Sequence, residues 1–546
     1  MRHKTITILA ILIGASSALA ADPQPPQLPF TLSKETTSIT TPLHPDGTPD
    51  YVAALNEKTG KDVTPDNNGF ILYLQAVGTS DKIIHPSIKA ELLKRLATAE
   101  TPPGREVWAP YTDYLRSERH LDNAQLSAAA LEFDKSLNPS PPDPPISRAD
   151  RPLLADFIKA RERQLSLMID ASKRPHWWVP YVAPDGHLST SARVPDPQPQ
   201  QEMLQVLSAR AMMRATSGDI DGFLDDALAI KCLARHRQAD ILPQDYGWES
   251  IGASAIARVA ASGILTAKQC ETIRAALRAL PPMTSPIQTL DLPARWHTLD
   301  VVQRIAMRDP ATLAAPAVRN DTEYEAIMLG RFAGIDRASV DWDVVLKLVN
   351  QRYDEQIAAD KKVTLDERDA ARDKLELAMT PGSPPGGRAG GTNGARAAGE
   401  TREAYTDRAA RTIISYVVRK AEDKDDAWRE IVMREEMLDT LLAAAQFKAS
   451  QGRWPATLND LVPAYRDRIP LNIYSRMGLD EISYARADNA IWVYTPATQR
   501  TTPRAISANA DGTRTVLQTF TVKVTEQGLG IRLPEQTRTG KLDGLP

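Results

Sequence analysis

The feature of this sequence that most constrains its fold is a helical spacing of apolar residues between positions 202 and 280. Leu204, Leu207, Ala211 and Ala215 recur at intervals of three or four residues, so they share one face of a helix. The same spacing returns at 223–234, 251–259 and 270–280. We expect four amphipathic helices here. Because most connecting turns are short, we expect neighbouring helices to form antiparallel hairpins.

Capping signals extend the helical interpretation beyond this region. Thr266 and Gln269 are spaced as in a capping box, in which each side chain satisfies a backbone N–H of the other residue. Thr364 and Glu367 repeat that spacing inside a helical stretch at about 341–379. A further apolar face predicts one helix over 151–171.

The period changes near the C terminus. Val516, Phe520, Val522 and Val524 alternate with mostly polar residues, which is typical of a strand with one buried face. The sequence therefore predicts a mainly α fold of antiparallel helical hairpins, closed by a small C-terminal α+β unit.

Composition divides the chain further. Seven prolines in 21–49 predict an extended tether, and seven glycines in 381–401 predict a flexible Gly/Pro-rich loop. Between them lies a helical domain over 50–380. A long helix and the α+β unit follow in 402–546.

Residues 1–20 have the pattern of a signal peptide. A basic start precedes an apolar run, and Ala18 and Ala20 place small residues before a cleavage point at Ala21. No other apolar run is long enough to span a membrane. We therefore expect a mature protein that is exported to the periplasm or the extracellular space.

Charge and cysteine content exclude several functional classes. There are 66 Lys and Arg residues against 69 Asp and Glu, a formal net charge of −3, which argues against a dedicated nucleic-acid binder. Two cysteines cannot build a disulfide framework or a zinc cluster. Cys232 and Cys270 either form one bridge or remain two small buried thiols.

Candidate catalytic carboxylates are few. Asp245 and Glu249 flank Trp248 at helical spacing, with His236 upstream and His297 further along the chain. Two carboxylates near an aromatic ring can bind sugar and share acid–base work. Carboxylates at this spacing are usually a solvated face, and that is the interpretation we favour.

A second group of acidic residues also has a structural rather than a catalytic interpretation. Asp219, Asp221, Asp225 and Asp226 lack the glycine and glutamate of a calcium loop. Acidic side chains near the start of a helix stabilise its positive dipole end, which accounts for most of this group.

The densest aromatic cluster is the segment 175–181, with Trp177, Trp178 and Tyr181 around a histidine. An exposed cluster of this kind would stack on a sugar ring or grip a partner. Because large aromatic side chains are mostly buried, we expect this cluster to lie in the core.

Several short segments resemble a family of uncharacterised exported helical proteins of planctomycete bacteria. They lie at 51–56, 63–68, 75–78, 209–218 and 279–282. The resemblance spans most of 50–310. It implies a helical architecture and an exported location, and it implies no reaction.

Residues 451–463 resemble a second pattern, the turn that follows the helix of pseudopilin-like C-terminal units. Gly452, Trp454, Pro455 and Pro463 match it. In the stretch 472–476 that follows, the Asp, Pro and Gly of the pattern are all replaced. The resemblance therefore implies a degenerate pseudopilin-like unit without the family's calcium site.

These observations predict an exported protein, most simply a non-catalytic binding or scaffold protein of the cell envelope with a protein or envelope partner. They assign no catalytic, cofactor-binding or metal-binding residue. The alternative is a hydrolase that uses dispersed carboxylates such as Asp245 and Glu249. A converging pocket would favour the enzyme, and a groove or an apolar patch would favour the scaffold.

Overall fold

The computed structural model describes most of the chain. The described residues are 28–137, 144–184, 195–237, 247–307, 332, 334–362, 364–379, 396–418, 422–473, 480–487, 490–495, 499–508, 514–523 and 527–532. The predicted signal peptide and most of the predicted loop 381–401 lie outside them.

The fold is mainly α-helical, as the apolar spacing predicts. The helices before the 202–280 region are α1 (Tyr51–Thr59), α2 (Gly69–Val77), α3 (Pro86–Arg95), α4 (Tyr111–Ser117), α5 (Asn123–Leu137), α6 (Pro152–Ala160) and α7 (Glu162–Ser172). The region itself holds α8 (Gln198–Thr216), α9 (Ile220–Arg237), α10 (Gly247–Ala261) and α11 (Ala267–Arg278). After it come α12 (Pro286–Thr289), a π-helical turn (Leu290–Ala294), α13 (Arg295–Met307), α14 (Trp342–Asp360), α15 (Leu365–Met379), α16 (Arg402–Val417) and α17 (Glu422–Gln451).

Local signals set several of these boundaries. Thr266 and Gln269 form the predicted capping box at the start of α11. Glu367 donates its backbone N–H to Thr364 Oγ1, at the start of α15. Asp50 caps α1 by accepting a hydrogen bond from the Ala53 N–H. Each contact joins residues three positions apart, so the sequence alone predicts it.

The helix predicted over 151–171 is two helices, with a break at Arg161. The Arg161 guanidinium is buried against the Tyr114 and Phe157 rings and pairs with Glu118. A charged side chain is stable inside a core only when it is paired. The contacts with Tyr114 and Glu118 come from another part of the chain, which explains why the local apolar spacing did not predict the break.

Two hydrophobic cores organise the described helices. The first contains side chains of α2 to α11 and of α17. The second contains side chains of α1, α13, α14 and α16. The segment 175–182 reaches both cores, because Trp177 and Val179 pack in the first and Tyr181 packs in the second.

Residues 28–49 differ from the expected extended tether. Phe30 packs in the second core, and Thr31 donates its backbone N–H to Asp343 near the start of α14. Asn350 donates hydrogen bonds to the carbonyls of Glu35 and Thr36. Proline prevents regular structure in this segment, but these side-chain contacts satisfy its backbone and hold it on the protein.

In the described residues of the C-terminal α+β unit, five strands form two small antiparallel sheets. The strands are β1 (Ser483–Ala487), β2 (Ala490–Thr495), β3 (Gln499–Ala508), β4 (Arg514–Lys523) and β5 (Gln527–Arg532). β2 lies between β1 and β5, and β3 pairs with β4. α17 contacts β2 and β5, and Val493 of β2 extends the first core.

Within the described ranges, none of the helices is both long enough and apolar enough to cross a membrane.

Candidate functional site

A pocket of about 280 Å³ lies where the two cores meet. Its walls come from the end of α1 and the residues after it, from the segment after α7, from the end of α9 and from the loop after α11. The lining residues are Thr59, Val63, Pro175, His176, Trp177, Trp178, Val179, Tyr181, Arg235, His236, Pro281, Pro282 and Thr284. Junctions between packed units are common places for ligand sites.

Two asparagines hold the aromatic wall in position. The Asn68 side chain donates to the Trp178 carbonyl and accepts from the Trp178 N–H, both at 2.9 Å. Asn56 makes the same paired contact with Tyr181, both at 2.8 Å. A buried amide can donate and accept at once, so each asparagine satisfies both backbone polar groups of one residue in this extended segment.

The two tryptophans of the cluster have different roles. Trp177 is buried and packs against the Phe70 and Tyr73 rings, as the core interpretation predicts. Trp178 is only partly buried and lines the pocket. Its indole N–H donates to Thr59 Oγ1 at 3.1 Å.

Gly60 allows the Trp178 ring to lie where it does. A Cβ atom at position 60 would lie 2.6 Å from the indole, a distance that real carbon atoms do not reach. The absence of a side chain at Gly60 therefore lets the Trp178 indole pack directly against the backbone.

His236 places a neutral imidazole in the pocket wall. Burial and the neighbouring His176 ring lower the pKa of His236 below its usual value of 6.5, because a buried cation lacks solvation. The Nε2 atom lies 3.7 Å from Cys232 Sγ. The Nδ1 atom is buried and has no hydrogen-bond partner.

A buried ion network connects the pocket to the core. Arg235 lines the pocket, donates to Glu249 at 2.8 Å and to Glu435 at 3.2 Å, and reaches the Pro281 carbonyl at 2.7 Å. Lys231, which is fully buried, pairs with the same two carboxylates. Two cations therefore face two anions, so the network carries no net charge.

The interpretation of Glu249 as part of a solvated face is wrong. Its side chain is completely buried on α10 between Lys231 and Arg235. Asp245, its expected companion, lies outside the described residues. His297 lies on α13, whose apolar residues belong to the second core, and it is not among the residues that line the pocket. The spacing of Asp245 and Glu249 did not predict this burial, because both cations that pair with Glu249 lie on a different helix, α9.

The interaction with the positive end of the helix dipole explains only part of the acidic group near the start of α9. Asp219 caps that turn by accepting from the Gly222 N–H. Asp226, however, is fully buried and accepts two hydrogen bonds from Arg210, at 2.7 and 3.0 Å. Arg210 and Asp226 are equally distant from the turn at Gly218, which is a sequence signal that could have predicted the pair.

The two cysteines are both free thiols. Burial raises the pKa of Cys232 and of Cys270 to about 11. Cys232 donates its S–H to the Ser172 carbonyl at 3.1 Å. A thiol in this state stays protonated near neutral pH and is a weak nucleophile.

The described part of the chain contains no group of three or more His, Cys, Asp or Glu side chains placed to hold a metal ion. The lining side chains instead include two indoles, a phenol, two imidazoles and a neutralised guanidinium. Together they can stack on a ring and exchange hydrogen bonds with it.

No family model, curated protein or solved structure matches this chain. That the chain is related to exported planctomycete proteins, or to pseudopilin-like units at its C-terminal end, is therefore a proposal that rests on short segments alone.

Proposed function

We propose that this chain is an exported, non-catalytic binding or scaffold protein of the cell envelope. We propose further that it binds a ligand in the pocket beside Trp178. The observation that carries the proposal is the composition of the described lining, which combines aromatic and imidazole groups with no carboxylate. Glycoside hydrolysis typically relies on two carboxyl groups, one on either side of the scissile bond, and the described lining includes neither.

Two side chains close to the pocket have functional groups that act in catalysis elsewhere, Glu249 and Cys232, and both are held by other groups. Glu249 is held by Lys231 and Arg235, which favours a structural role. Cys232 is a protonated thiol bonded to a carbonyl. The convergence of His176 and His236 on one pocket is the feature that a hydrolase would share, and it makes the hydrolase the alternative to test.

The experiment compares binding with turnover. The purified mature chain is incubated with neutral sugars, aromatic acids and small amines while thermal melts and proton NMR spectra of each compound are recorded. We expect a compound that raises the melting temperature and stays chemically unchanged. A ligand at 100 times its Kd stabilises by about 2.7 kcal/mol.

The hydrolase would give a different result. A compound that is consumed by the wild-type chain, and spared by a folded Glu249→Gln or His236→Gln variant, would contradict the proposal.

A further inference from the structure

The pocket has a rigid flat wall. The Trp178 indole is fixed on one edge by its hydrogen bond to Thr59, and it packs against Gly60 at a distance that leaves no room for a side chain. The paired contacts of Asn68 hold its backbone. A ring that is ordered before binding loses little conformational entropy when a ligand stacks on it. The volume, about 280 Å³, suits a ligand of one ring.

The polar groups of the pocket match hydroxyl groups. His236 is a neutral imidazole, so one ring nitrogen donates and the other accepts, and its buried Nδ1 lacks a partner. A hydroxyl satisfies either tautomer because it both donates and accepts. Arg235, which also lines the pocket, uses three of its five N–H groups on Glu249, Glu435 and Pro281.

The charges disfavour ionic ligands. Glu249 and Glu435 neutralise the positive charges of Lys231 and Arg235. The ion network beside the pocket therefore offers little net attraction to an anion. A ligand cation would stack on the indole, but the described lining includes no carboxylate to balance its charge.

We propose that this pocket binds a single neutral sugar ring in its pyranose form. The C–H face of the sugar stacks on Trp178, since the ring face of an indole is negative and attracts C–H groups. A hydroxyl of the sugar approaches the His236 imidazole in the pocket wall. This inference rests on the proposed binding function and names the ligand class.

The test uses the full mature chain with D-glucose, D-galactose, D-mannose and N-acetyl-D-glucosamine as probes. Benzoate and choline represent an aromatic anion and a cation. Saturation-transfer NMR detects binding, and titration gives the affinity. We expect at least one of the sugars to bind, and we expect Trp178→Ala to weaken that binding roughly tenfold or more.

Matched variants separate the pocket from the rest of the protein. Trp428→Ala removes a partly buried tryptophan of α17 that does not line the pocket, so sugar affinity should not change. Gly60→Ala places a Cβ 2.6 Å from the indole and 2.8 Å from the Asn56 carbonyl oxygen. It displaces the indole without deleting it and should also weaken binding, and a thermal melt checks that this variant is folded. If Trp178→Ala does not fold, Trp178→Tyr keeps a ring for stacking and should retain binding, in contrast to Gly60→Ala.

Each outcome has a distinct meaning. If no sugar binds the wild-type chain, or if Trp178→Ala and Gly60→Ala bind the sugar as wild type does, the sugar inference is overturned. Binding of benzoate or choline alone would overturn it too, yet would leave the proposed binding function intact. Chemical conversion of a bound sugar would instead contradict the proposed non-catalytic function.

Discussion

At the scale of single residues, buried charges in this protein are placed opposite partners on other helices. Asp226 is the clearest case, since Arg210 binds both of its oxygens in the core. We expect Asp226→Ala to lower the free energy of unfolding by about 3–5 kcal/mol, because it leaves a buried guanidinium without its main partner. The exposed neighbour Asp225 is the matched control, and Asp225→Ala should change stability by less than about 0.5 kcal/mol. Equal effects in urea denaturation would show that the Asp226 pair contributes little.

The histidine in the pocket wall predicts a pH dependence. The pKa of His236 is lowered in the folded state from its usual 6.5, so on acidification the unfolded chain takes up a proton first. Stability should therefore fall as the pH drops below about 6.5. We expect His236→Gln to reduce this loss in denaturant titrations between pH 7 and pH 5.

His120 provides the control for that titration. It is exposed and lies in the left-handed region with φ of 54°, a conformation that asparagine tolerates. His120→Asn should keep the wild-type pH profile. If His236→Gln lost stability at acidic pH as the wild type does, His236 would not be the source of the pH dependence.

At the scale of secondary-structure elements, α17 packs apolar side chains in the first core and also supplies a carboxylate to the buried cations of α9. Glu435 pairs with both Lys231 and Arg235, and its neighbour Glu436 pairs near the surface with Arg466. We expect Glu435→Ala to cost about 3–5 kcal/mol, because it leaves two buried cations with one anion. Glu436→Ala should cost about 1 kcal/mol or less. Thermal melts of both variants measure the contrast, and similar melting temperatures would argue against an anchoring role for Glu435.

The elements also show what the sequence can and cannot predict. Helices α8 to α11 follow from apolar spacings of three and four residues, and the cap of α11 follows from the Thr266/Gln269 capping box. Both signals are local. The break at Arg161 and the placement of residues 28–49 depend on distant contacts, so local periodicity does not predict them. The pocket itself depends on Asn56 and Asn68 meeting a segment more than a hundred positions later. The aromatic cluster was visible in the sequence, but its partners were not.

At the scale of the whole molecule, each of the two cores is built from helices that are far apart in the sequence. Leu207 is completely buried in the first core. A buried unpaired carboxylate costs several kcal/mol against a total stability of roughly 5–15 kcal/mol. We expect Leu207→Asp to prevent folding, as judged by circular dichroism and by the loss of a cooperative melt. A folded, cooperative Leu207→Asp variant would contradict this packing.

The proposal of export makes its own prediction for the whole chain. Secreted material should begin at Ala21, because Ala18 and Ala20 fit the small-residue sites of a signal peptidase. N-terminal sequencing of protein recovered outside the cytoplasm tests this. Recovery of material that begins at Met1 would refute cleavage at this position.

The ion network has a consequence for the order in which the protein can fold. Lys231 and Arg235 take Glu435 as a partner across 204 and 200 positions of sequence. While the chain is being synthesised, α9 therefore emerges long before the second of its two anions. A nascent chain that stops before α17 holds two cations against Glu249 alone, so complete burial of α9 is unfavourable at that stage. Final closure of the first core must wait for nearly the full length of the chain. Such a delay would favour the proposed export, because a chain whose first core is still open can be translocated before it folds.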